Sequence, residues 1–278
     1  MRYVKELLAS RELLANLTLR EIRGKYKRTV FGQLWSLANP LALMLIYTFV
    51  FALIFRIEPD KGDPSGLNVF ALWLLCGLLP WTFLATVLNI GVGSLVANAQ
   101  LIQKVYFPRI VLPLSLVGSS AYNWLFEMGV LVVALSIAGG FVLPWLPLVV
   151  VAMALLAVFV GGIALFLSIG NVYFRDTQYF VTIFLQIWMY LSPVIYPMYL
   201  VRDVSRDLGG LFGTPVTLDA LYSLNPMVHF IEVFRSLLYD NTWPEVTEWL
   251  ICLAWAIGTF ALGMIVFRRN EKRLAEAL

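Results

Sequence analysis

The chain has one histidine, His229, and two cysteines, Cys76 and Cys252, in 278 residues. That scarcity excludes several chemistries. A His/Cys zinc site needs three or four such ligands, and no His-Glu-x-x-His pair is present. Both cysteines fall inside long apolar runs and read as small apolar residues, with no disulfide or metal role. A lone loop histidine reads as structural rather than catalytic. No Gly-x-x-x-x-Gly-Lys-[Ser/Thr] loop occurs, so the chain cannot cradle a nucleotide's phosphates in that mode. Charged residues are only 13% of the chain, and the acidic ones sit almost wholly between apolar runs. An intramembrane hydrolase or transferase needs paired carboxylates, a His pair or a Ser-His set at one depth. None is visible.

What is present is apolar. Hydrophobic residues make up 60%, where soluble domains run nearer ~45–50%, and the mean hydropathy is +0.82. A hydrocarbon core of ~30 Å needs about 20 helical residues. Six runs of that kind are predicted: Asn39–Ile57, Val69–Val96, Ile110–Ala138, Leu146–Ile169, Gln178–Tyr196 and Thr247–Phe267. The expected fold is an all-α integral membrane protein with six transmembrane helices. The first 30 residues hold eight Lys or Arg and no long apolar core, so no signal peptide is expected.

With a cytoplasmic N-terminus and six alternating spans, fifteen Lys or Arg fall inside and five outside. This bias puts both termini in the cytoplasm. Clustering at membrane ends also explains the net charge of +3 without nucleic acid as a partner. Residues 1–38 read as a cytoplasmic interfacial segment, because Val4, Leu7, Leu8, Leu14 and Leu17 recur at roughly helical spacing between charges. An ordinary solvated tail is the alternative. Residues 39–267 form the membrane domain and 268–278 a cytoplasmic tail.

Asn39-Pro40 reads as an N-cap followed by proline at the first helical position, starting the first span. A proline kink inside one longer helix is the competing reading. Asn225-Pro226 repeats the signal and opens a helix to about Tyr239, too short to cross. It is expected to dip into the outer leaflet or to lie on its surface, within an outer region, 192–245, whose prolines force turns. Irregular backbone at that depth must be buried in protein or line a cavity.

Three features carry candidate function. Glu127, with Asn123 one turn earlier, is an ionisable residue within the third span. It reads as a polar point in a conduit or as a hydrogen-bonded contact between helices. Tyr47, Phe51 and Phe55 recur at i, i+4, i+8 in the first span, and Phe180, Phe184 and Trp188 repeat that spacing in the fifth. Such stripes pack a core equally well or offer ring faces to a sliding sugar chain. The cluster Arg20, Arg23, Lys25, Lys27 and Arg28 precedes the first span.

Six stretches together resemble the permease subunit of ATP-binding cassette exporters for surface polysaccharides such as O-antigen, capsule or wall teichoic acid. They are "KYKRTVFGQLWSLANPLALMLIYTFVF", "LIQKVYFPRIVLPL" (Leu101–Leu114), "NVYFRD" (Asn171–Asp176), "LSPVIYP" (Leu191–Pro197), "LNPM" (Leu224–Met227) and "VFRSLLY" (Val233–Tyr239). The likeness runs from Arg23 to about Tyr239.

The resemblance implies a homodimer with two copies of a separate ATPase chain on the cytoplasmic side, which would hold the ATP and Mg; this chain itself carries no cofactor. It implies that the Leu101–Leu114 loop meets the ATPase, with Gln103, Lys104, Tyr106, Phe107 and Arg109 as contact residues. It implies short re-entrant outer helices and an aromatic conduit from the first and fifth spans. Arg175 and Asp176 match a family loop pair whose role as gate, ion pair or lipid-phosphate contact stays open. The expected function is export of a lipid-linked glycan across the bacterial plasma membrane among membrane lipids, with the basic cluster recruiting the lipid phosphate. Alternatives are a drug or lipid exporter of the same superfamily, or a proton-coupled carrier.

Overall fold

In a computed structural model the chain is described over residues 10–57, 61–105, 107–210, 214 and 216–277. Val4, Leu7, Leu8 and Tyr106, singled out above, lie outside the described residues. Among the described residues there is helix and no strand.

Helix α1 (Arg11–Lys25) does not simply underlie the bundle. Thr18 faces Gly118 and Lys25 lies within electrostatic reach of Glu127, so α1 runs in the same direction as the third span and packs along it. Leu17 is buried in a cluster with Leu95, Ile102 and Ile110. The chain then turns, with Arg28 at φ 66° and Gly32 at φ 52°. Glycine takes that left-handed conformation without steric cost.

A 3₁₀ turn (Gly32–Leu34) leads directly into α2 (Trp35–Tyr47), which widens into a π-helical segment (Thr48–Ile54). Pro40 therefore sits inside α2. The expectation of a cap at Asn39 is corrected: the 3₁₀ turn has already nucleated the helix upstream, and the proline-kink reading is the one observed.

α3 (Phe70–Gly91) is followed by the short α4 (Ser94–Ala97) and α5 (Ala99–Lys104), then by α6 (Val111–Ile137), α7 (Leu146–Tyr173) and α8 (Thr177–Tyr190). The outer region holds α9 (Met198–Leu208), α10 (Leu218–Ser223) and α11 (Pro226–Arg235), the last extended by a π-turn to Asp240. α12 (Val246–Asn270), a 3₁₀ turn and α13 (Leu274–Ala277) finish the chain.

Among the described residues, five helical segments are long and apolar enough to cross a membrane: Gly32–Ile54, Phe70–Gly91, Val111–Ile137, Leu143–Tyr173 and Val246–Asn270. The protein is a multi-pass membrane protein. The fifth predicted run, Gln178–Tyr196, is shorter than expected. Its helix α8 has 14 residues, about 21 Å, because Leu191–Tyr196 bends away before Pro197.

The closest helix–helix approach is α7 against α12. A Cβ on Gly162 would lie 2.4 Å from the Thr259 carbonyl carbon, and one on Gly263 would lie 2.2 Å from the Gly162 oxygen. Without hydrophobic drive between helices in lipid, such small-residue contact is what lets backbones pack.

The Asn225-Pro226 reading holds. Asn225 caps α11, its side chain accepting from the Met227 amide at 3.0 Å. α11 is not a surface helix: Met227, Phe230, Ile231, Phe234, Leu237 and Leu238 are buried against α3, α7 and α12. The non-helical backbone at its end is thus enclosed by protein, as lipid requires.

Candidate conduit and coupling elements

Both aromatic stripes form continuous ladders. In the first, ring centroids are 6.3 Å apart for Tyr47–Phe51 and 5.9 Å for Phe51–Phe55. In the second, Phe180 and Phe184 stack at 5.9 Å, and Phe184 meets Trp188 at 5.3 Å. The first ladder reaches α8 at Tyr47, whose hydroxyl lies 4.0 Å from the sulfur of Met189, the residue after Trp188. One flank of the second ladder lines a largely apolar cavity of ≈ 630 Å³ that also meets Phe159 and Trp255. Ring faces are negative and sugar C–H groups positive, so such a wall holds a saccharide without fixing its register.

The second ladder is fastened at its outer end by a residue that the sequence reading used only as a cap. Asn225 accepts from Trp188 Nε1 at 2.8 Å and donates to the Leu191 carbonyl at 2.9 Å and to Ser192 Oγ at 2.8 Å. One amide therefore joins α8, the bend after it and α11. Trp188 also meets Trp81 of α3 edge-on at 5.8 Å.

All five members of the basic cluster, Arg20, Arg23, Lys25, Lys27 and Arg28, are exposed. Arg20 donates to Glu21 at 2.7 Å and to Asn98 Oδ1 at 3.4 Å. Lys25 lies over the Tyr26 ring at 5.4 Å. Burial pushes its ammonium below the usual lysine range, against the opposing pull of Glu127. Glu127 and Asn123 share a face, both lining a polar cavity with Lys25.

Between α4 and α6, Gln103 and Lys104 are exposed, and Phe107 packs on the Leu95–Ile110 cluster. Arg109 is turned toward the C-terminal segment. Its amide donates to Glu271 Oε1 at 3.1 Å and its guanidinium to the Glu271 carbonyl. Leu274 is buried in the same cluster, so the tail braces the loop. Arg175 and Asp176 are exposed in the turn before α8, where the Asp176 carbonyl accepts from the Phe180 amide at 3.0 Å.

Two outer residues differ from their sequence reading or sharpen it. Arg235, counted among the five outside basic residues, is only 5% exposed. It lies over the Trp73 ring at 3.6 Å and donates to the Val194 carbonyl at 2.9 Å. A Trp face and a carbonyl partly replace its lost hydration. His229, read as structural, bridges Glu248 Oε2 and the Ser223 carbonyl, each at 2.7 Å. Both partners are acceptors, so the geometry calls for a hydrogen on each ring nitrogen. Its pKa is accordingly raised, chiefly by the Glu248 hydrogen bond.

A bundle of membrane-length helices around the buried short helix α11, with a braced α5–α6 loop, is the architecture of a multi-pass membrane protein. The ABC-2 type transporter family pattern matches residues 12–239, and the chain belongs to that family. Among its relatives, the O-antigen export system permease protein RfbA of Klebsiella pneumoniae is 29% identical, with 96% of this chain and 95% of the relative covered. Its namesake from Myxococcus xanthus is 27% identical over 100% of both chains. The polysialic acid transport protein KpsM of Escherichia coli is 24% identical over 93% of each.

Proposed function

We propose that this chain is the transmembrane subunit of an ATP-driven exporter that moves a lipid-linked surface polysaccharide of O-antigen or capsule type across the bacterial inner membrane. The observation that carries the reading is end-to-end similarity to O-antigen export permeases, in a chain whose two aromatic ladders are intact. In this reading two copies pair, α8 with its bend acts as a sixth span, and both termini face the cytoplasm. Two separate ATPase chains bind the α4–α6 loop and hold the ATP and Mg.

ATP-driven closure of those chains moves the braced loop, and the loop transmits force through α6 and the tail. The ladders then supply a sequence of ring faces of similar strength. A sugar passes from one to the next without a deep well, because stacking is not register-specific. The exposed residues Arg23, Lys27 and Arg28 attract the lipid-borne phosphate to the entrance by charge.

The test is export of surface glycan in cells carrying Phe184→Ala with Trp188→Ala, checked for normal chain abundance. A drop of tenfold or more is expected, since each truncation removes roughly 1–3 kcal/mol of stacking, taking base–aromatic stacking as the guide. Full export with normal abundance would remove the ladder from the mechanism.

A further inference from the structure

Three cavities adjoin along the first three spans. The middle one, ≈ 430 Å³, lies between the turn after α1 and helices α2, α3 and α6. It shares Lys25, Thr86, Ser120 and Asn123 with a polar vestibule of ≈ 860 Å³ that opens beside Arg20 and Asn98. It shares Pro40 and Glu127 with an apolar groove of ≈ 420 Å³, lined by Leu41, Met44, Leu75 and Leu131. Polar space therefore passes into apolar space at Glu127.

The polar part is built and left unsatisfied. Asn123, 4% exposed, spends its Nδ2 on the Ser119 carbonyl, while its Oδ1 has no partner. Trp124, 2% exposed, has no acceptor for its Nε1. At the same cavity the Ser36 hydroxyl lies within reach of both the Tyr26 hydroxyl and the Glu127 carboxylate. Buried polar atoms are normally paired, and the two left unpaired here, Asn123 Oδ1 and Trp124 Nε1, point to an occupant that supplies the bonds. Pro40 adds to the imbalance, since it has no N–H to offer the Ser36 carbonyl one turn back.

The charge identifies the occupant. Lys25 and Glu127 both line the cavity and attract one another across it without a hydrogen bond between them. A multiply negative group gains from the ammonium and loses to the carboxylate. A zwitterion gains from both: its phosphate meets Lys25, Ser36 and Trp124, and its ammonium meets Glu127 beside the Tyr26 and Trp35 rings. The groove beyond Glu127 takes hydrocarbon.

We propose that this cavity and groove bind one resident zwitterionic phospholipid, with its phosphoethanolamine head between Lys25 and Glu127 and one acyl chain along α2. The proposal does not depend on the export reading. A lipid seated there fixes the turn between α1 and α2, and so the angle at which the first ladder enters the membrane.

The test titrates the purified full-length chain in detergent with phosphatidylethanolamine and, separately, phosphatidylglycerol of the same acyl chains, read by native mass spectrometry. One phosphatidylethanolamine is expected to bind at roughly tenfold lower concentration than phosphatidylglycerol, and Glu127→Gln should bring the two to parity. Should Glu127→Gln fail to fold, Lys25→Gln, at the end of α1, is expected to weaken both lipids together. Equal binding in the wild type, preference for phosphatidylglycerol, or no retained lipid would each overturn the proposal. So would a preference that survives Glu127→Gln. Full export in the Phe184→Ala, Trp188→Ala chain with this lipid preference intact would count against the export reading alone.

Discussion

Asn225 is the residue on which most of the outer architecture converges. Its side chain makes four hydrogen bonds, to Trp188, Leu191, Ser192 and Met227. Asn225→Ala removes a helix cap, worth about 0.5–2 kcal/mol. It also leaves Trp188 Nε1 without an acceptor, a further cost of about 1–3 kcal/mol if no water replaces it. The expected result is a loss of about 1.5–5 kcal/mol in unfolding stability. Export should fall further than that loss alone explains, because the upper end of the second ladder is released. Thermal unfolding of the purified chain beside an export assay separates the two; an unchanged midpoint would contradict the hub role. The cap was legible from sequence, since Asn before Pro is a strong local signal. The bonds to Trp188 and Leu191 were not, because they join positions more than thirty residues apart. Arg235 shows the same limit: its ring partner Trp73 lies on another helix, and nothing around "VFRSLLY" announces burial.

Among the elements, two Asn-Pro pairs with the same local grammar have opposite fates. Pro226 opens α11, while Pro40 falls within α2 because the Gly32–Leu34 turn starts the helix five residues earlier. The apolar runs marked most spans correctly, yet α8 stops at Tyr190; hydropathy alone does not see the bend that Asn225 and Tyr196 fasten. α11 is held to α12 by a titratable link, His229 to Glu248. Folding raises the His229 pKa above its ordinary 6.5. The link's contribution is therefore fully present below about 6.5 and is lost as pH rises through the elevated folded value. Unfolding midpoints measured from pH 5.5 to 9 should fall with rising pH in the wild type, and His229→Gln should flatten that part of the curve. Parallel curves for the two proteins would show that the link does not couple protonation to the outer helices.

At the scale of the whole molecule the first span stands out. Only 6% of its most apolar window is buried, against 22–72% for the other four. Leu45, Phe49 and Leu53 are 65%, 57% and 66% exposed, and they follow one another at helical-turn spacing along one side. Lipid tails satisfy such a face as well as protein does, so exposure alone does not demand a partner. The ladder on the same span runs down the other side of the helix, two residues out of step, and supplies a separate reason for a partner. A conduit wall needs an opposite wall, and within the chain Tyr47 reaches α8 at Met189, beside the second ladder rather than across from it. Closed two-fold pairing is the simplest way to provide one, and residues near a two-fold axis meet their own copies. Cys76 and Cys252 are buried, so an introduced surface cysteine can be read without removing them. In membranes, single substitutions Leu45→Cys, Phe49→Cys and Leu53→Cys should include at least one that forms a disulfide-linked dimer on mild oxidation. Val150→Cys, on the 56% exposed face of α7, should stay monomeric. Dimers at none of the first-span positions, or equal yield at Val150, would mean that lipid covers this helix and that the opposite wall of the conduit lies elsewhere.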